Sequence, residues 1–146
     1  MQTMRKAIPI RTIESITYVH DYTKGDNRTG AFCGPACVAM LTGVNFDEVI
    51  ALMRGASTSK QHLKKALDHY GIRYAPKSTR FDPDVPLPDI CVIRMIIADE
   101  NGVFKFKKEN GHWGIYFKGT YYDPDFGVSD ICPIQVKIFQ VWEIYP

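Results

Sequence analysis

The chain has 146 residues, 45% of them hydrophobic, and a formal net charge of +2, the proportions of one domain that can bury a core without disulfide staples. Its 18 basic residues lie among 16 acidic ones instead of forming a run, which excludes the electrostatic footprint of a nucleic-acid binder. No apolar stretch reaches bilayer-spanning length and Met1 to Ile10 is too weakly apolar for a secretory signal, so the expectation is a cytoplasmic protein with no membrane partner and free thiols.

Residues 1–26 read as an N-terminal arm and loop, with one short β-like run at Ile16-Thr17-Tyr18-Val19 and a polar stretch that starts at Asp21 and runs on to Gly30. A helical half, 27–75, follows. Gly34-Pro35 suits a helix start because proline is tolerated in the first turn, Val38 and Leu41 repeat at helical spacing, and Gly43 ends the run. Asn45-Phe46-Asp47-Glu48 resembles a capping box opening a second helix through Val49, Ile50, Leu52 and Met53, closed by Gly55. Thr58-Ser59-Lys60-Gln61 repeats that pattern before Leu63, Ala66, Leu67 and Tyr70, with Gly71 as the stop. His62 and His69 share this third helix with charged neighbours and read as exposed residues.

Pro76 to Asp89 carries four prolines and reads as an extended connection to a β half, 90–146. Ile90 to Ile97 is apolar enough for a buried central strand, with Asp99-Glu100-Asn101-Gly102 as a turn and Val103 to Lys107 as a short exposed partner strand. His112 to Phe117 and Thr120 to Asp123 flank Lys118-Gly119, a hairpin signature. The last strand, Ile134 to Tyr145, places Ile134, Val136, Ile138, Trp142 and Ile144 on one face, interrupted by Gln140. Cys91 and Cys132 read as packing residues.

Chemistry concentrates at Cys33. A thiol at a helix start faces the positive end of the macrodipole, and Gly34 leaves room for a substrate carbonyl near backbone N–H groups. The same Cys33 and Cys37, one turn apart, also fit two small core residues. Hairpin counting favours the reactive reading. It pairs Phe117 with Thr120, Ile115 with Tyr122 and Gly114 with Asp123, so that Asp123 sits diagonally across from His112 with Gly114 leaving the space open. Asp123 can then orient the imidazole while the other ring nitrogen serves Cys33. Asp125 competes for that role, since counting puts it opposite His112, although Pro124 interrupts the pairing.

These segments resemble the papain-like cysteine peptidases, and among them the bacteriocin-processing, double-glycine leader peptidase group and its stand-alone relatives. Cys33-Gly34-Pro35-Ala36-Cys37 is similar to the nucleophile helix, Gly111-His112-Trp113 to the histidine strand and Tyr122-Asp123-Pro124 to the Asp-Pro segment. The resemblance implies an α+β fold, with N-terminal helices packed on a C-terminal antiparallel sheet in a single domain spanning 1–146. It also implies peptide-bond cleavage through a thioester, with Cys33 as nucleophile, His112 as general base and then acid, and Asp123 as orienter. The glutamine that family members carry six residues before the nucleophile is replaced by Asn27, which offers the same donors on a shorter arm; Arg28 is another candidate donor. The substrate is expected to be a peptide or protein, with no cofactor and no metal. Acyl transfer, protein deamidation and a catalytically inactive peptide- or protein-binding domain are the alternatives. A zinc site of Cys33, Cys37 and His112 lacks the usual structural spacing, and Cys-x-x-x-Cys is not the usual redox motif.

Overall fold

The computed structural model describes residues 12–21, 32–53 and 59–146. Among them, three helices precede a six-stranded antiparallel sheet, an α+β arrangement. The helices are α1 (Cys33–Thr42), α2 (Phe46–Met53) and α3 (Lys60–His69). The strands are β1 (Thr79–Arg80), β2 (Ile90–Ile97), β3 (Gly111–Phe117), β4 (Thr120–Asp123), β5 (Gly127–Ser129) and β6 (Val136–Glu143), in the spatial order β1-β6-β2-β3-β4-β5.

Helix α1 is buried from Cys33 to Leu41 because it is apolar on every side, and it packs against β3, α2 and α3. It ends where expected: Gly43 has φ 74°, and its N–H donates to the Ala39 carbonyl at 2.8 Å. Asn45 caps α2, accepting from the N–H groups of Asp47 at 2.9 Å and Glu48 at 3.4 Å. Its expected stop, Gly55, lies outside the described residues.

The cap of α3 lies one residue beyond the expected Thr58–Gln61 box. The Ser59 hydroxyl accepts from the His62 N–H at 3.2 Å, and the Ser59 N–H donates to His62 Nδ1 at 3.4 Å. An imidazole nitrogen thus does the work that glutamine was expected to do, so His62, though exposed as anticipated, has a local task.

Strand β2 is central, paired with β3 on one side and β6 on the other. That corrects the expected strand at Val103–Lys107: both edges of β2 are already occupied, so no ladder remains for it. Asp99 instead accepts from the N–H groups of Asn101 and Val103, each at 2.9 Å, and closes a turn. The arm segment Ile16–Val19 forms no strand either, and the connection after Pro76 contributes the short β1, which sequence reading missed along with β5.

The single apolar face expected for the last strand is also corrected. Arg94 pairs with Gln140 but Met95 pairs with Ile138, so Phe139 is an extra residue in a β-bulge. The side-chain alternation changes phase there. Val136 and Ile138 join Val141 in the cluster with Cys91, Ile93 and Met95, whereas Trp142 and Ile144 join the helix-side core. Ile134 precedes the strand and is exposed.

Candidate active site

The hairpin positions the imidazole. Ile115, Tyr116 and Phe117 pair with Tyr122, Tyr121 and Thr120 around Lys118-Gly119, the register expected from the loop. Both loop residues have positive φ, 45° at Lys118 and 93° at Gly119, the conformation that matches strand twist in a two-residue turn. The ladder stops there. The expected pairing of Gly114 with Asp123 is not made, and Asp123 pairs with Gly127 of β5.

His112 and Asp123 nevertheless meet. His112 Nε2 and Asp123 Oδ1 are 2.8 Å apart, with both residues buried. The same oxygen accepts from the N–H groups of Asp125 at 2.9 Å and Phe126 at 3.1 Å, so the carboxylate is held by the turn that follows it. The space left by Gly114 is not empty: a Cβ there would come within 2.7 Å of the Met95 methyl. The Phe126 ring lies 5.9 Å from that of His112, centroid to centroid, and borders the imidazole.

The other edge of the ring differs. Nδ1 has no partner with hydrogen-bond geometry among the described residues, and Asp125 Oδ2 lies 3.7 Å from it. The competing carboxylate foreseen from hairpin counting is therefore at the site, on the opposite edge from Asp123. Cys33, at the mouth of α1, also acts on the ring. Burial pulls the His112 pKa down, but its interactions with Asp123 and with the Cys33 thiol outweigh that and push it up to about 10.

The surroundings of the other three thiols raise their pKa. Burial, then the proximity of Cys33, Asp123 and Asp125, raises the pKa of Cys37 well above the usual thiol range. Burial, reinforced by Glu143, pushes Cys91 up to about 12, and burial with Asp123 raises Cys132 as well. All four cysteines are free.

Three residues of the arm reach this site: Tyr18, which the sequence offered only as part of a β-like run, and His20 and Asp21, which gave no motif signal. The Tyr18 hydroxyl donates to the Asp123 carbonyl at 2.6 Å, His20 Nδ1 is 2.9 Å from the Pro124 carbonyl, and the Asp21 N–H donates to that same oxygen at 2.9 Å. The Asp21 carboxylate is buried and accepts from the Phe32 N–H at 2.8 Å, fastening the arm to the residue that precedes α1. Asn27 and Arg28, the expected donor and its substitute, lie outside the described residues.

No family model, characterised protein or solved structure matches the chain. Among the described residues no helix is long and apolar enough to cross a membrane, and no group of three His, Cys, Asp or Glu side chains is arranged to hold a metal ion.

Proposed function

We propose that this chain is a papain-like thiol hydrolase that cleaves an amide bond of a peptide or protein. The observation that carries the reading is the His112 ring, tied through Nε2 to Asp123 at 2.8 Å and acted on by the thiol of Cys33 at the start of a helix. A ring whose pKa is raised to about 10 is protonated at neutral pH, the partner a cysteine thiolate needs.

The Cys33 sulfur attacks the carbonyl carbon and the carbonyl oxygen takes up the negative charge. The N–H groups of Cys33 and Gly34, in the first turn, have no acceptor within the helix and supply donors for that oxygen, with Asn27 as a further one. Collapse of the adduct breaks the C–N bond as His112 gives its proton to the leaving amine. Water, deprotonated by the now neutral His112, attacks the resulting thioester, releases the acid and restores the thiolate with the protonated ring. An amine in place of water makes the same intermediate a transferase, and a glutamine side-chain amide as substrate makes it a deamidase.

The test is the rate of iodoacetamide labelling of Cys33 against pH, in the parent and in His112→Ala. A fast reaction at neutral pH that slows on loss of His112 is expected, followed by peptide cleavage that Cys33→Ala abolishes. Equal and ordinary thiol reactivity in both proteins would sink the proposal.

A further inference from the structure

A buried carboxylate takes no part in the proposed chemistry. Asp21 is 1% exposed, and it stands between the two segments that carry the nucleophile and the orienter. Its Oδ2 accepts from the Phe32 N–H at 2.8 Å, and Phe32 immediately precedes Cys33. Its own N–H donates at 2.9 Å to the Pro124 carbonyl, and Pro124 immediately follows Asp123. Neighbours in the arm add to the second hold: the Tyr18 hydroxyl donates to the Asp123 carbonyl at 2.6 Å, and His20 Nδ1 lies 2.9 Å from the Pro124 carbonyl. Upstream, Ile13 packs into the helix-side core at 5% exposure.

The start of α1 needs such support. Its N-cap residue is Phe32, whose hydrocarbon side chain has no oxygen to offer and makes no cap hydrogen bond. The backbone just before the nucleophile is therefore held from outside the helix, by the carboxylate of Asp21. As a charge, that carboxylate works against the thiol, because an anion beside a helix start takes up positive potential that otherwise favours a thiolate. What it contributes to the site is geometry. Displacing a reacting group by about 1 Å can cost about a hundredfold in rate, so a residue that ties both segments together has leverage on the chemistry.

We infer that Asp21 is a positioning residue of the thiol site: through one side-chain and one backbone hydrogen bond it fixes the start of α1 against the turn after Asp123, and so keeps the Cys33 thiol in register with His112. The inference rests on the thiol-hydrolase reading, whose own test is the dependence of Cys33 labelling on His112.

The experiment is iodoacetamide labelling at pH 7, read by mass spectrometry of the peptide that contains Cys33, in the full chain and in four variants. Asp21→Ala removes the acceptor for the Phe32 N–H and should slow labelling about tenfold or more. Asp21→Asn keeps an oxygen acceptor and loses the charge, so it should label at least as fast as the parent. Asp21→Glu keeps the charge but lengthens the arm, and should label slowly. Charge alone predicts the reverse pattern, with a faster thiol in Asp21→Ala and Asp21→Asn and no change in Asp21→Glu. Ile13→Ala loosens the arm from the core without touching either hydrogen bond, so it should melt earlier in urea yet label at the parent's rate. Should Asp21→Ala fail to fold, the Asn and Glu variants decide alone. Parent-like or faster labelling in Asp21→Ala or Asp21→Glu, or slowing in Asp21→Asn or Ile13→Ala, would overturn the inference and leave the thiol-hydrolase reading in place. Parent labelling that does not depend on His112 removes both.

Discussion

The first and second turns of α1 carry the same side chain in different surroundings. Cys33 and Cys37 sit on one helix, both buried, yet Cys33 acts on the His112 ring whereas Cys37 is sealed in the core with its pKa driven well above the usual range. What differs between the two turns is the imidazole, which the hairpin brings to the helix start; under the proposed function that ring is the cation that offsets desolvation of a thiolate.

Exchanging the two sulfurs is the strongest way to break this contrast. Cys33→Ala or His112→Ala should lower turnover on the order of 10⁴-fold, whereas Cys37→Ala should leave turnover intact and cost about 1 kcal/mol of stability in a urea melt. Loss of turnover in Cys37→Ala with an unchanged fold would abolish the distinction between the two turns.

Asp123→Asn probes the support of the ring. It keeps the shape and a carbonyl acceptor but removes the charge, so turnover should fall by roughly 10² to 10⁴ and the His112 pKa should drop from about 10, read by NMR titration of the imidazole. The site's first turn would then behave more like its second.

The pH dependence sharpens the electrostatic part. The His112 pKa is raised from 6.5 in the unfolded chain to about 10, so the folded state binds its proton more tightly. The resulting stabilisation is fully present below pH 6.5 and is lost as pH rises through about 10. Urea melts at rising pH should show that loss in the parent and not in His112→Ala.

Tyr18→Phe has the smallest effect. It removes the donor to the Asp123 carbonyl and should cost about 1 kcal/mol, with turnover falling less than in Asp123→Asn.

The site was legible in proportion to how local its geometry is. Lys118-Gly119 specifies a two-residue turn, and from it the register of Ile115 to Phe117 against Thr120 to Tyr122 follows by counting. The count failed one pair later, because Asp123 turns away to β5, yet the reach of two side chains across a strand end tolerated that error. The bulge at Phe139 left no comparable mark: its phase change depends on which residues of β2 lie opposite. The arm was equally silent on its contacts, since Tyr18, His20 and Asp21 find partners more than one hundred residues away in Asp123 and Pro124.

Spacing along the chain by itself determined the cysteine at a helix start, the histidine at a strand start and the α-then-β order, because periodicity and turn chemistry act over a few residues. Tertiary structure alone decided that Cys33 and not Cys37 faces the imidazole, that Asp123 and Asp125 take opposite edges of the ring, and that Asp21 holds both the residue before Cys33 and the residue after Asp123. Those outcomes are contacts between elements distant in sequence, and they arise only when the apolar faces of helix and sheet are buried against each other.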